Sequence, residues 1–285
     1  MNIVFFGEDA FSLEALDSLV KVNHKIVGVF CPRYNNRIYR RLEDYCIQKL
    51  IHFERIIHFN DSAFVEKLKK LSPDLLVICH FQKIISKTLI DVPKFGSINL
   101  HPSLLPNYRG MAPQHWPIIN GDSETGVTVH FVDEGVDTGD IIIQQKLRIE
   151  DSWYVYDLQK NMKSIYSTIL RDAIDKIFKG NHNYSTQYNL EGSYYARLKI
   201  SDCQITLEMS SRDAYNIVRA VSFPYFGARF NDLIVWKAEL FEHTSSEYYF
   251  ASEKKLGLFE LDANEKYIKF KDGLLKIIKS EKYEK

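Results

Sequence analysis

The chain has 285 residues and a formal charge of zero, with 37 Lys+Arg against 37 Asp+Glu. That length supports a large domain plus a smaller one, each with a core, and the charge balance speaks against a protein given over to nucleic acid, which asks for a basic excess. Cys31, Cys46, Cys79 and Cys203 stand far apart with no CxxC pair, which argues against a zinc pattern and for reduced thiols, and no run of about 18 apolar residues is present to span a membrane. The opening MNIVFFGEDAF lacks the basic n-region of a signal peptide, so a soluble cytoplasmic protein is expected.

In chain order, Ile3–Phe6 is a short apolar run closed by Gly7, and Phe11, Leu13, Leu16, Leu19 and Val20 recur behind it at helical spacing. Strand, glycine turn and helix open a doubly wound α/β unit, with Ile26–Phe30 as the second parallel strand. Gly7 makes no GxGxxG fingerprint, and Cys31 rather than an acidic residue ends the second strand. Both facts speak against a nicotinamide oxidoreductase. Arg33, Arg37, Arg40 and Arg41 cluster ahead of a helix reaching Leu50, and a solvated helix face is a simpler reading of them than a diphosphate site. A helix over Ser62–Leu71 ends at Ser72-Pro73, and Leu75–Cys79 reads as a buried parallel strand. His80, Phe81, Gln82, Lys83 and Ile84 follow at its C-terminal end, where open α/β sheets bind ligands.

Phe95–Asp140 is the most informative stretch. Asn99 and His101 alternate with Ile98 and Leu100, so a strand there turns both polar side chains to one face. Pro102, Pro106, Gly110, Pro113 and Pro117 then punctuate a long loop. Asp133, Asp137 and Asp140 fall in a turn between the apolar runs Val127–Val132 and Ile141–Ile143, and a carboxylate brought from there to His101 makes an acid–base pair. A lone strand histidine is more often a core residue and an acidic turn is usually only solvated; the concurrence of the three features favours a site.

Beyond Asp140, Ile141–Gln145 reads as a strand and Ser152–Lys179 as a long helix, with Val155, Leu158, Met162, Ile165, Ile169, Ala173 and Ile177 on one stripe and Gly180-Asn181 to stop it. A core domain 1–188 and a second domain 189–285 are expected. In the second, Ser210-Ser211-Arg212-Asp213 is a capping-box pattern. Ile234–Ala238, Leu256–Leu261, Tyr267–Lys271 and Leu274–Ile278 are short strands suited to a small barrel or half-barrel.

The stretch 96–140 closely resembles the catalytic core of the folate-dependent formyltransferases, through Asn99, His101, Ser103-Leu104-Leu105-Pro106, Tyr108-Arg109-Gly110, Asp133-Glu134-Gly135 and Asp137-Thr138-Gly139-Asp140. A motif spread over about forty positions is far more specific than a short glycine pattern. The resemblance implies a doubly wound, Rossmann-like, mostly parallel core with a smaller C-terminal β-rich domain. It implies N10-formyltetrahydrofolate as co-substrate, no metal, and a catalytic trio of Asn99, His101 and Asp137. The pterin is expected against His80, Phe81, Gln82, Lys83 and Ile84, with Asp133 and Gly135. Gly7, Glu8, Ser103, Gly110, Ala112, Gln114 and Tyr225 are the expected substrate contacts, and a homodimer the expected assembly.

Moving a formyl group to an amine passes through a tetrahedral adduct with a developing oxyanion. It needs a donor aimed at that oxygen, an acceptor for the amine's proton and a partner for the imidazole. Asn99 can donate to the oxygen and Asp137 can hold the imidazolium; His101 can be the base or, protonated, the oxyanion stabiliser, and the residues leave both open. Three acceptors compete within the resemblance. Glycinamide ribonucleotide enzymes are shorter and lack a comparable C-terminal β-domain. Methionyl-tRNA formyltransferases differ in the short segment 32–41, in Glu8-Asp9-Ala10 where Thr-Pro-Asp is usual, and in the slim C-terminal region. Gln114–Gly121, Val127–His130 and Phe223–Ala228 look most like the sugar N-formyltransferases, with Phe226 where a second proline is common. The expected reaction is formylation of a 3- or 4-amino-dideoxy sugar carried on a nucleotide, dTDP first, for surface polysaccharide, with no nucleic-acid or membrane partner. A non-catalytic nucleotide-binding module is the reading from another class, and the intact trio argues against it.

Overall fold

The computed structural model describes residues 1–22, 24–33, 40–180, 183–241, 254–261 and 265–283. Arg37 of the basic cluster and Asn181 of the helix stop lie outside them. The chain divides into two compact units, the first made of Met1–Gly110, Gly126–Leu147 and Asn161–Tyr194, the second of Met111–Thr125, Arg148–Lys160 and Tyr195–Lys285.

In chain order the elements are β1 (Asn2–Gly7), α1 (Ala10–Lys21), β2 (Lys25–Pro32), α2 (Arg40–Gln48), β3 (Phe53–Ile56), α3 (Ser62–Lys70), β4 (Leu75–Cys79), α4 (Lys87–Ile90), β5 (Ser97–His101), β6 (Arg109–Gly110), α5 (Trp116–Ile119), β7 (Glu124–Phe131), β8 (Ile141–Arg148), α6 (Val155–Phe178), β9 (Tyr194–Tyr195), α7 (Ser211–Val221), β10 (Ala228–Phe230), β11 (Leu233–Phe241), β12 (Gly257–Leu261), β13 (Glu265–Lys269) and β14 (Leu274–Lys282). The first unit is built on a seven-stranded sheet in the order β3-β2-β1-β4-β5-β7-β8. Strands β1 to β5 run parallel and β7 is antiparallel to β5. The central strands are apolar almost throughout because the sheet is covered on both faces. Phe6, Phe30, Phe64 and Phe81 meet in one core cluster.

Strand order reverses between β1 and β4, the topological switch point at which α/β sheets open a crevice. The register decides what gathers there. Gly7 pairs with Cys79 and Cys79 with Leu100, so Glu8, His80 and His101 emerge at neighbouring strand ends. Helix α1 starts at once because Asp9 caps it, its Oδ1 accepting the Phe11 and Ser12 N–H groups at 3.0 Å each.

The second unit holds a five-stranded antiparallel sheet, β10-β11-β14-β13-β12, with α7 against β11. Ser210 caps α7 through the Asp213 N–H at 3.0 Å. Arg219 on α7 is buried and donates to the carbonyls of Glu150 and Trp153 and to Asn216 Oδ1.

Element bounds differ from the sequence reading where pairing outruns hydropathy. β8 continues to Arg148 and β14 to Lys282, past the apolar residues that announce them, because ladder hydrogen bonds do not need buried side chains. α6 begins at Val155 rather than Ser152: the Tyr154 N–H donates to Asp157 Oδ2 at 3.1 Å and closes the first turn there.

The loop leaving β5 is pinned by one hydroxyl. Thr128 Oγ1 on β7 donates to Ser103 O at 2.6 Å and accepts from Leu105 N at 3.2 Å, both buried, and from Gln144 Nε2 at 2.9 Å. Thr128→Val keeps the volume and strands those partners, so it is expected to lower stability by about 2–3 kcal/mol, measured by chemical denaturation.

Candidate active site

Strand β5 alternates as the sequence requires, and its register with β7 sets Asn99 opposite His130 and His101 opposite Thr128. The turn between β7 and β8 brings Asp137 to the same place. Asp137 Oδ2 lies 3.6 Å from His101 Nδ1, and Asp137 Oδ1 lies 3.4 Å from Asn99 Nδ2 and 3.5 Å from His130 Nε2. The three residues expected as a trio therefore converge, all within the first unit. His130 joins them.

Hydrogen-bond chemistry fixes the proton positions. A carbonyl only accepts, so His101 Nε2–H donates to Tyr108 O at 2.8 Å and Nδ1 is the nitrogen left facing Asp137. His130 Nδ1–H donates to Phe131 O at 2.7 Å, and its Nε2 then accepts from Asn99 Nδ2 at 3.2 Å. His130 thus orients the Asn99 amide. Burial pushes the His101 imidazole below the ordinary histidine range, with Asp137 pulling the other way and His130 adding to the depression. For Asp137 burial acts to raise the pKa, but His101, His130 and the Gly110 N–H outweigh it, and the carboxyl sits well below the usual range.

Backbone geometry delivers both groups. Tyr108 and Asp137 sit in the left-handed region, φ 61° and 55°. The Gly110 N–H donates to Asp137 Oδ2 at 2.9 Å. Gln187 Nε2 donates to the carbonyls of Asp137 at 3.1 Å and Gly139 at 2.7 Å, while its Oε1 accepts from Arg109 Nη2 at 2.8 Å. A Cβ at Gly139 would stand 1.9 Å from Phe131 O, so only glycine lets the turn close. Asp133 Oδ1 accepts from Gly135 N at 3.1 Å and Thr138 Oγ1 at 2.7 Å, an Asx turn inside the same loop.

The other expected residues are distributed as follows. Ser103 is fully buried and donates to Asn107 O at 2.7 Å. Glu8 Oε1 accepts from Gln82 N at 2.7 Å. Gly7 has no room for a Cβ, which would fall 2.6 Å from Ser12 Cβ. Phe81 is turned into the core, while Gln82, Lys83 and Ile84 are exposed. Both ring nitrogens of His80 are taken, by Asp9 and Tyr166. Ala112, Gln114 and Tyr225 belong to the second unit, where Gln159 Nε2 bonds to both Gln114 Oε1 and Tyr225 OH. A cavity of about 640 Å³ opens against the Asp133–Asp140 turn, walled in part by Phe131, Asp133, Asp140, Tyr184 and Gln187; Asn99 and His101 do not line it. Among the described residues no group of three or more His, Cys, Asp or Glu is placed to hold a metal ion, and no helix is long and apolar enough to cross a membrane.

His130 and Gln187 carry roles that the sequence reading did not assign. His130 lies in the Val127–His130 alternation, a signal that becomes legible only once the β5–β7 register is known. Gln187 lies fifty positions from the loop it holds, and nothing local announces it.

An amide, an imidazole and a carboxylate meeting at the strand ends of a mostly parallel α/β sheet are the equipment of a group-transfer enzyme. Comparison with known proteins makes the class specific. Residues 1–174 match the model of the formyl transferase family, and the chain belongs to that family. A methionyl-tRNA formyltransferase of Clostridioides difficile is 32% identical over 256 residues, 87% of this chain and 83% of that protein. One from Thermodesulfovibrio yellowstonii is 31% identical over 97% of this chain and 90% of its own length. Among solved structures, an N-formyltransferase from Helicobacter canadensis, in complex with folinic acid and dTDP-3-aminofucose, superposes with a TM-score of 0.77 at 23% identity, covering 99% of this chain and all of that one. WlaRD, a sugar 3N-formyl transferase seen with dTDP and 5-N-formyl-THF, has a TM-score of 0.74 at 24% identity over 100% and 98% of the two chains. At those identities the structures establish the shared fold.

His130→Phe removes the acceptor that aims Asn99 and the donor to Phe131 O. The rate constant kcat is expected to fall by about ten- to a hundredfold, less than the about 10²–10³-fold for an oxyanion donor removed outright, in protein that a melt shows still to be folded; steady-state kinetics on the same sample check this.

Proposed function

We propose that this enzyme moves the formyl group of N10-formyltetrahydrofolate to the amino group of a nucleotide-linked amino-dideoxy sugar, dTDP being the first carrier to test. The observation that carries the chemistry is the convergence of Asn99, His101 and Asp137 with a free Nδ1 on the imidazole. The donor fits the segment beside it: Phe81 is turned inward, so Gln82–Ile84 lie exposed beside the trio's strand.

The donor supplies an activated formyl carbon. His101 Nδ1 accepts the proton of the attacking amine as the new C–N bond forms. Asp137, 3.6 Å away, then pairs with the imidazolium. The Asn99 amide, held by His130, presents an N–H to the formyl oxygen as charge develops there. His101 returns the proton to the nitrogen that departs. A preorganised oxyanion donor contributes about 3–4 kcal/mol and acid–base help about 10²–10⁴-fold. This reading assigns His101 the base role, because its Nε2–H is committed to Tyr108 O and burial favours the neutral ring.

The amino-sugar acceptor is supported by the end-to-end match to the Helicobacter canadensis enzyme and by the 37-to-37 charge balance. Methionyl-tRNA is the second reading, favoured by relatives near 32% identity that carry that name. Assaying N10-formyltetrahydrofolate with dTDP-3-amino and dTDP-4-amino dideoxyhexoses and, in parallel, with methionyl-tRNA separates them. Turnover of a sugar is expected; turnover of the tRNA alone transfers the acceptor to the second reading and keeps the chemistry.

The base role also fixes a pH dependence. His101 must be unprotonated to act, and its pKa is lowered from 6.5, so kcat/KM should stay on its plateau down to that pH and fall only below it. Asp137 raises the His101 pKa, so Asp137→Asn should move the acid limb of the residual activity lower still. An acid limb centred above 6.5 counts against His101 as base.

A further inference from the structure

The switch point holds a second polar constellation that the trio does not use. His80 Nδ1 lies 2.8 Å from Asp9 Oδ2, and His80 Nε2 lies 2.8 Å from Tyr166 OH. The ring stacks on Phe11 at 4.5 Å with planes 14° apart. We propose that Asp9, His80 and Tyr166 form a positioning chain that fixes the Phe81–Ile84 backbone for the one-carbon donor; the inference rests on the donor reading given above.

The proton inventory gives the chain one direction. A carboxylate only accepts, so Nδ1–H donates to Asp9, and Nε2 is left to accept the Tyr166 hydroxyl proton. Tyr166 is fully buried on α6 and burial holds its phenol well above the ordinary range, so it keeps that proton. Every polar atom of the imidazole is thus satisfied. The array has the connectivity of a nucleophilic triad, but the hydroxyl at its end is sealed from any substrate. Its work is structural.

What it holds is a strained exit from a strand. His80 has φ 51°, the left-handed region in which a non-glycine side chain crowds its own backbone. Two further links tie the same exit to the first turn. Ser12 Oγ donates to Cys79 O at 2.7 Å, and the Gln82 N–H donates to Glu8 Oε1 at 2.7 Å. The chain turns sharply at His80, Phe81 enters the core, and Gln82–Ile84 are left exposed. The Gln82 and Lys83 N–H groups are held by Glu8 and by Phe81 O, so a flat, amide-edged heterocycle laid along this segment meets the remaining backbone groups, and its affinity depends on where the backbone lies. The register also sets His80 beside His101, one strand over, so the same turn spaces the donor from the base.

The test uses the full chain and 5-formyltetrahydrofolate, which binds without transferring its formyl group. Asp9→Asn retains a good helix cap and removes the carboxylate to which His80 Nδ1–H donates. Tyr166→Phe retains the buried ring and removes the hydroxyl. Tyr45→Phe, which removes a hydrogen bond to Asp17 at the other end of α1, is the control for general loosening. Titration calorimetry should show the dissociation constant rising about five- to twentyfold in the first two variants and unchanged in the control. The KM for the donor should rise in parallel while kcat at saturating donor falls far less. Faster amide exchange at Gln82 in the unliganded variants should accompany the loss. Wild-type affinity in both variants, or a fall in kcat with an unchanged donor KM, overturns the inference alone. No binding by the wild-type protein removes the donor reading and this inference with it.

Discussion

The site is organised around one carboxylate that is only 13% exposed. An ionised group withdrawn from water must be surrounded by donors or it shifts its pKa and neutralises. Asp137 is met by the Gly110 N–H and the Asn99 amide, with two imidazoles close by. The four groups come from three stretches of chain, so the carboxylate ties the end of β5, the loop closing at Gly110 and the strand β7 to one point. Its own backbone is tied down in turn by Gln187, which is braced by Arg109. Arg109 and Gln187, which hold the Asp137 loop, are themselves buried.

The same constraint explains the asymmetry between the two histidines. Both stand within 3.6 Å of Asp137, and both donate one ring N–H to a backbone carbonyl. For His130 the carbonyl is that of the next residue and the remaining nitrogen is occupied by Asn99. For His101 the carbonyl comes from Tyr108 across the loop, and the remaining nitrogen has no closer partner than the carboxylate. One ring is committed to orienting an amide while the second nitrogen of the other faces the carboxylate. Two chemically identical side chains are separated into roles by which carbonyl reaches them.

Much of this was legible in the sequence because the relevant signals are local. β4 runs over Leu75–Cys79 as read, since a strand buried on both faces is an uninterrupted apolar run with sharp ends. The alternation of Asn99 and His101 predicted their common face, and the aspartate-rich turn predicted a carboxylate nearby. What escaped needed register. His130 matters because it lies opposite Asn99, a fact about pairing across thirty-one positions. Gln187 and Arg109 matter because they brace a loop remote in sequence. Ser103 illustrates the converse: a loop hydroxyl next to the strand of Asn99 and His101 reads as a ligand contact, yet here it sits wholly inside the loop it stabilises.

The first turn bears on how the acceptor is argued. Glu8-Asp9-Ala10 in place of the usual Thr-Pro-Asp reads, in sequence, as a mark against a tRNA acceptor. In the structure Glu8 accepts the Gln82 N–H, and Asp9 divides its oxygens between the cap of α1 and the His80 ring. Both acidic residues are engaged with the segment that follows β4. His80 needs an acceptor for Nδ1–H, and a proline at position 9 would leave that proton without its partner. The identity of residue 9 is therefore coupled to the identity of residue 80 more directly than to any acceptor. Both acidic residues of the first turn are thus accounted for by the segment that follows β4, and the choice between sugar and tRNA rests on turnover.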